Sequence, residues 1–208
     1  NMYETEEQQV EALKKWWKEN GKSIIAGVVL GLGGVAGWGA WVNHKETVAQ
    51  QASNVFEQLM VAVEAENTDV ADAKAAVLHQ EFSSTPYSAF ADLMQARVLY
   101  EQGDPAGAKA ALEKAVANAP DPALKSIAVL RLARIQLSSG ELDAAEAVLN
   151  KHPAPTAFAG EYALVRGDIA RGRGDVAAAR SAYQQAITEQ AGDSGMVQLK
   201  LENLPPAT

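Results

Sequence analysis

The three histidines are the side chains in this sequence best suited to metal binding or proton transfer. His44, His79 and His152 lie far apart along the chain, and none has a partner at the spacing that metal sites use. The chain has no cysteine, and therefore no thiolate ligand and no cysteine nucleophile. A Gly-x-Ser-x-Gly elbow and a phosphate-binding loop are also missing from the sequence. We therefore expect no catalytic residue, no cofactor and no metal site.

A second set of side chains is suited to holding a protein segment. Arginines bind carboxylates or backbone carbonyls, whereas tyrosine and leucine accept apolar groups. The candidates on the expected inner surface of the fold are Arg97, Tyr100, Leu130, Arg134, Leu164 and Arg171. The alternative interpretation is that these arginines are solvated on ordinary helix faces, where ion pairs contribute little.

A repeat of 34 to 37 residues predicts the fold on whose inner surface these side chains are expected. Three Gly-acid pairs begin at Gly103, Gly140 and Gly174. Alanine follows each glycine after five residues, and a large apolar residue follows it after nine. A small residue lies seven positions before each glycine. Small residues let the two helices of a tetratricopeptide repeat approach closely, the large residue fills the gap, and the Gly-acid pair forms the turn. The fold is therefore predicted to be all-α, with a tetratricopeptide-like helical solenoid.

The sequence around the three repeats predicts further helices. Residues 48–65 form a long helix that can continue from the preceding segment, residues 70–82 form its partner, and residues 193–204 form a capping helix. The middle repeat departs from the pattern, because His152 replaces a small residue and Pro153 and Pro155 follow it. Its second helix is expected to be shortened or kinked.

An apolar segment near the N-terminus predicts a transmembrane helix. Residues 24–42 contain no charged residue and no Asn, Gln or His, and nineteen residues suffice to cross about 30 Å of hydrocarbon. Six of the nineteen are glycines, which are costly in a helix in water but are tolerated in a bilayer. Trp38 and Trp41 near one end and Trp16 and Trp17 before the other fit the two membrane interfaces. A cleaved signal peptide is the competing interpretation; the bulky tryptophans and the charged residues before the segment favour a retained anchor.

The glycines of this segment predict a surface for another helix. Gly27, Gly31 and Gly34 share one helical face, and Gly33 and Gly37 repeat the four-residue spacing on a neighbouring face. Such faces allow close helix packing, although glycine is also common in membrane helices in general. We call these five residues the glycine face.

The charges around the span indicate its orientation. Lys14, Lys15, Lys18 and Lys22 precede it, whereas Lys45 alone follows closely. This predicts that the N-terminus stays in the cytoplasm and that the chain from Asn43 onward is exported, to the periplasm if the source is a diderm bacterium. The chain carries a net charge of -8, the wrong sign for binding nucleic acid. A short interfacial helix that ends near Asn20 and Gly21 is expected before the span.

The sequence thus divides into five parts. They are a cytosolic segment with its interfacial helix (1–23), the transmembrane helix (24–42), a linker helix with a degenerate first repeat or cap (43–86), three repeats with a capping helix (87–204), and a tail (205–208).

Over residues 2–204 the chain resembles the YfgM family, the ancillary subunit of the bacterial SecYEG translocon. The resemblance rests on residues 9–14 (QVEALK) and 19–22 (ENGK), on the glycine-rich span, on residues 130–137 (LRLARIQL), and on the Gly167-Asp and Gly174-Asp pairs. It implies an inner-membrane protein that associates with SecYEG and the periplasmic chaperone PpiD and helps exported client chains leave the channel. It implies no catalytic residues.

The resulting hypothesis is a non-enzymatic, membrane-anchored scaffold. A coordinator of envelope assembly or cell division is the alternative, since the same architecture serves cell-wall machinery. A third possibility is control of a cytosolic stress pathway through residues 2–22.

Overall fold

The computed structural model describes residues 2–206, with side chains from residue 8 onward. Residue 1 of the predicted cytosolic segment and residues 207–208 of the predicted tail lie outside the described residues. The described residues form α-helices and one short 3₁₀ turn, without a strand. The contacts divide the chain after residue 50 into two compact units. The all-α prediction is confirmed, whereas the limits predicted at residues 23, 42, 86 and 204 stay predictions.

The first unit is helical throughout its described residues and belongs to α1 (Met2–Glu64). The prediction of a separate helix ending near Asn20 and Gly21 is wrong, because α1 continues through both residues. Asn20 Nδ2 donates to the carbonyl of Trp16 at 3.0 Å, and Gly21 lies under the indole of Trp17. One glycine costs a helix about 1 kcal/mol, too little to end it when good helix formers continue on both sides.

The second unit begins within α1 and contains the remaining helices of the described chain. These are α2 (Thr68–Glu81), α3 (Pro86–Glu101), α4 (Pro105–Asn118), α5 (Pro122–Ser138), α6 (Leu142–Lys151), α7 (Ala159–Gly172), α8 (Val176–Thr188) and α9 (Ser194–Glu202). The principal contacts join helices that are adjacent or next but one along the chain, such as α3 with α4 and α5 with α7.

The three predicted repeats are the helix pairs α3–α4, α5–α6 and α7–α8. The predicted small and large residues are buried in each pair: Ala96 with Leu112, Ala133 with Leu149, and Gly167 with Tyr183. The third pair is the tightest, because a Cβ atom added to Gly167 would lie 2.5 Å from ring carbons of Tyr183. The close approach that the repeat pattern predicts is therefore confirmed.

The predicted turns also form. Gly103, Gly140 and Gly174 have φ values of +83°, +76° and +79°, a left-handed conformation that glycine adopts without steric cost. The amide of each following acidic residue donates to a carbonyl near the end of the preceding helix, as Asp104 does to Leu99 at 2.8 Å. Asp104 and Asp175 then cap the next helix through their side chains.

The middle repeat departs from its neighbours as predicted. Its second helix, α6, has 10 residues, compared with 14 in α4 and 13 in α8. It ends at Lys151, with His152 as its C-cap before Pro153, and a 3₁₀ turn (Thr156–Phe158) leads into α7.

Helix α9 closes the last repeat through a polar contact. Lys200 Nζ lies 2.6 Å from Asp168 Oδ2, and Tyr183 donates from its hydroxyl to Asp168 Oδ1 at 2.7 Å. Burial and the neighbouring Asp168 carboxylate raise the pKa of Tyr183, so its hydroxyl stays protonated as a donor. One carboxylate therefore links α7, α8 and α9.

Candidate partner-binding surfaces

The glycine face lies on α1 with no neighbouring group against it. No heavy atom lies within 4 Å of a Cβ built at any of its five glycines. Large apolar side chains around them are exposed as well, with Leu30 at 75% and Val35 at 73%. An uncovered apolar helix of this length can cross a membrane, and α1 has the length and hydropathy for one span.

Aromatic side chains mark the end of the apolar segment. The Trp38 and Trp41 rings are 5.1 Å apart, and Lys45 Nζ lies 4.4 Å from the Trp41 ring centroid. A cation over an indole at the end of an apolar stretch is typical of a membrane–water interface.

In the second unit, three of the six predicted peptide-binding residues line one cavity of about 350 Å³. Arg97 and Tyr100 come from α3 and Arg134 from α5. Apolar side chains form its floor, namely Leu93, Ala96, Leu112 and Ile135. We call this site the arginine cavity. Positive and apolar groups side by side can hold an apolar segment that carries a carboxylate.

Two arginines of this cavity already have partners in the chain. Arg97 Nε lies 2.8 Å from Glu101 Oε1, and Arg134 Nη2 lies 3.4 Å from Glu161 Oε2. Exposed pairs of this kind contribute about 0 to 1 kcal/mol, so a competing carboxylate can replace them at little cost.

The other three predicted residues lie elsewhere. Leu130 is 4% exposed and belongs to the core of the first two repeats, so its prediction as an accessible contact is wrong. Leu164 is half-buried against the core of the third repeat. Arg171 is exposed in the last turn of α7, outside the arginine cavity, and its binding role stays a prediction.

Sequence reasoning missed Arg131, which also lines the arginine cavity. Among the described residues no carboxylate forms an ion pair with it. The cavity is lined by one face of α5, at positions 131, 134, 135 and 138, and by one face of α3, at positions 93, 96, 97 and 100. The spacing of i, i+3, i+4 and i+7 counted from Arg131 was the available signal.

A polar cluster connects α2 and α3 on another side of the second unit. The Asp92 side chain is fully buried, and its Oδ1 lies 3.3 Å from His79 Nε2. His79 Nδ1 and Ser88 Oγ are 2.9 Å apart and share a hydrogen bond. Ser88 is 3% exposed, and the three side chains line a cavity of about 330 Å³ together with Ser83, Lys114 and Asn118. The cluster is a polar contact between α2 and α3 at the wall of this cavity.

Asp92 makes stability depend on pH. Burial raises its pKa above the ordinary 3.8, against the smaller lowering effects of His79, Asn118 and Lys114. A raised pKa means that the folded state binds the proton more tightly, so this contribution is complete below pH 3.8 and is lost as pH rises through the folded value. We expect the free energy of unfolding of Asp92→Asn to fall less with rising pH than that of the wild type. The measurement is urea unfolding of the full chain in nonionic micelles, followed by circular dichroism at a series of pH values.

The matched control for this experiment is Glu113→Gln, which changes an exposed carboxylate on α4. It should leave the pH profile unchanged. Parallel profiles for the wild type and Asp92→Asn would show that Asp92 does not cause the pH dependence.

Among the side chains that the structure describes, from residue 8 to residue 206, no group of three or more His, Asp and Glu is placed to hold a metal ion. The candidate binding surfaces are the uncovered glycine face in the first unit and the arginine cavity in the second.

Comparison with known proteins places the chain in a family. A model of the tetratricopeptide repeat-like domain matches residues 14–206. Ancillary SecYEG translocon subunits from Haemophilus influenzae and from Escherichia coli K12 are 37% and 33% identical, and the alignments cover 96% and 98% of this chain and 97% and 98% of theirs. The chain belongs to the family of ancillary SecYEG translocon subunits. A third member, from Aggregatibacter actinomycetemcomitans, is 35% identical over 96% of the chain.

The family match extends over both units, because the alignments cover nearly the whole length of each protein. No solved structure matches the chain. The family name thus applies to the combination of apolar helix and repeats, and the resemblance stated from the sequence is confirmed.

Proposed function

We propose that this protein is a non-enzymatic scaffold of the SecYEG translocon, anchored in the inner membrane by one span. The observation that carries the proposal is the near full-length match to proteins named as ancillary SecYEG subunits. Because the match includes the apolar helix, the membrane contact is expected to be part of the shared function. Tethering a binding domain beside a channel raises the effective concentration of weakly bound partners there.

The proposed orientation has the N-terminus in the cytoplasm and the second unit in the periplasm. The lysines before the span, Lys14, Lys15, Lys18 and Lys22, support this orientation, since positive charge is retained on the cytoplasmic side. In the periplasm the second unit would meet exported chains and the chaperone PpiD.

Each candidate surface has a separate part in this proposal. The glycine face packs against a membrane helix of the translocon, because glycines let two helix backbones approach closely. The arginine cavity holds an apolar, carboxylate-bearing segment of the chaperone or of the emerging chain. Losing one contact should therefore leave the other.

The test is purification of tagged full-length protein from native membranes in mild detergent, with mass spectrometry of what copurifies. We expect Sec channel subunits and a periplasmic chaperone. Recovery of cell-wall synthases or division proteins in their place would overturn the proposal and favour a role in envelope assembly.

The double substitution Arg131→Gln and Arg134→Gln tests, in the same experiment, whether the arginine cavity binds the chaperone. Each lost charge pair is worth roughly 0.2 to 1 kcal/mol, so for two pairs we expect recovery of the chaperone to fall about twofold to thirtyfold while recovery of channel subunits is unchanged. Arg166→Gln is the control, since Arg166 lies outside the arginine cavity, with Nη2 3.3 Å from Asn150 Oδ1. Unchanged chaperone recovery in the double variant would remove the arginine cavity from the proposal.

A further inference from the structure

A second cavity, of about 590 Å³, lies between the end of α1, α2 and α3 and shares only Glu101 with the arginine cavity. All of its lining lies in the second unit. Apolar side chains from the three helices line it, including Leu59, Val63, Ala71, Ala75, Met94 and Val98. The region therefore offers an apolar surface to a partner.

The charges around this cavity have one sign. Glu64, Glu66, Asp72 and Glu101 line it, and no Lys, Arg or His is among its described lining residues. Glu101 pairs with Arg97, whereas the other three carboxylates have no ion-pair partner among the described residues. We call the cavity with these four carboxylates the acidic groove.

Helix ends strengthen the negative potential of the acidic groove. Helices α1 and α3 end there, at Glu64 and Glu101, and neither has a basic residue in its last turn. The C-terminus of a helix carries a partial negative charge, which a cation stabilises and a carboxylate does not. Two such ends beside four carboxylates make a site for positive charge.

The turn at Glu66 is unusual. Glu66 has φ +53°, in the left-handed region that the repeat turns fill with glycine. A side chain with a Cβ is disfavoured in that conformation. The chain thus has a carboxylate at the rim of the acidic groove where glycine would be the less strained choice.

We propose that the acidic groove binds a basic amphipathic helix of a partner protein, with the apolar stripe on the floor and lysines or arginines against the rim. Helix-in-groove binding combines an apolar face with flanking charges in this way. Nucleic acid and anionic lipid headgroups carry the same sign of charge as the rim and are repelled. The proposal does not use the glycine face, and its test changes Glu64, Glu66 and Asp72, none of which lines the arginine cavity, so it can fail without the proposed function failing.

The test uses the full chain in nanodiscs of zwitterionic lipid, with empty nanodiscs as the blank. The probe is a fluorescently labelled helical peptide of leucines and lysines with the leucines on one face, and binding is followed by anisotropy. We expect saturable binding that weakens as salt is raised. Glu64→Gln with Asp72→Asn should raise Kd about threefold to tenfold, as expected for the loss of two partly exposed charge pairs.

The substitution Glu66→Gly distinguishes a loss of binding caused by the missing charge from one caused by a less stable fold. It removes the carboxylate and relieves the left-handed conformation, so it should weaken binding while making the second unit no less stable. Gln190→Gly is the matched control, because Gln190 has φ +57° and lies outside the acidic groove. It should change the backbone in the same way and leave Kd unchanged.

Three results would overturn the proposal. One is equal binding of a peptide in which glutamates replace the lysines, and another is equal binding of a lysine peptide with scrambled leucines. The third is an unchanged Kd in both the Glu64/Asp72 and the Glu66 variants.

Discussion

Gly167→Ala is expected to destabilise the second unit by about 1 to 2 kcal/mol, although alanine is the better helix former. A methyl group at this position would lie 2.5 Å from ring carbons of Tyr183, which is itself fully buried. Overpacking costs about 1 to 3 kcal/mol, and a contact this short against a fully buried ring belongs to the upper half of that range, about 2 to 3 kcal/mol. The gain in helix propensity returns about 1 kcal/mol, which leaves a net loss of about 1 to 2 kcal/mol. The measurement is urea unfolding of the full chain in nonionic micelles, followed by circular dichroism. Tryptophan emission would not serve, because all four tryptophans precede residue 42.

The other two repeats indicate which second substitution should compensate for Gly167→Ala. They pair Ala96 with Leu112 and Ala133 with Leu149, so alanine fits where the opposite residue is leucine. Tyr183→Leu alone should cost about 2 to 4 kcal/mol, because it leaves a cavity and removes the hydroxyl that donates to Asp168. The double variant Gly167→Ala with Tyr183→Leu should cost less than the sum of the single changes by at least about 1 kcal/mol. Simple additivity would contradict the packing described for α7 and α8.

Replacing the glycine face with leucines is expected to reduce recovery of translocon subunits by roughly tenfold, which corresponds to 1.4 kcal/mol. Leucine at Gly27, Gly31, Gly33, Gly34 and Gly37 keeps the segment apolar, so insertion into the membrane is preserved. The five positions are uncovered, and leucine side chains there would hold a partner helix away from the α1 backbone. The measurement is copurification from native membranes, as above.

Two controls accompany the leucine variant. Ile25→Leu with Leu32→Ile changes exposed apolar side chains on the side of the helix opposite the five glycines and should leave recovery unchanged. Alanine at the five glycine positions keeps the residues small and should retain most of the recovery. Full recovery with leucine at all five positions would show that the glycine face is not the membrane contact.

The repeats could be predicted from the sequence because their requirements are local. A left-handed turn selects glycine at Gly103, and close helices require a small residue such as Gly167 opposite a large one. These constraints act within one helix pair, where spacing along the chain fixes position in space. The continuity of α1 at Gly21 was mispredicted, since a lone glycine signals a helix end only when its neighbours also disfavour the helix.

The binding surfaces were less predictable because several helices form them. Leu130 was expected on the accessible face, yet the rotation of α5 turns Arg131 to that face and buries Leu130. The acidic groove gathers residues from Leu59 to Gln102 on three helices, and Asp92 meets His79 across two. No spacing rule relates residues whose proximity depends on how successive helices are rotated against each other.

The contacts between successive helices also bear on how the second unit reaches its native state. Helices meet those adjacent or next but one along the chain. The core that the first two repeats share with one face of α7 is separate from the core that contains Tyr183 and Val197. Loop closure between such near neighbours loses little chain entropy, and low contact order is associated with fast folding. The first two repeats draw their core from residues no later than Ile169. They can therefore complete that core before α8 and α9 have been synthesised.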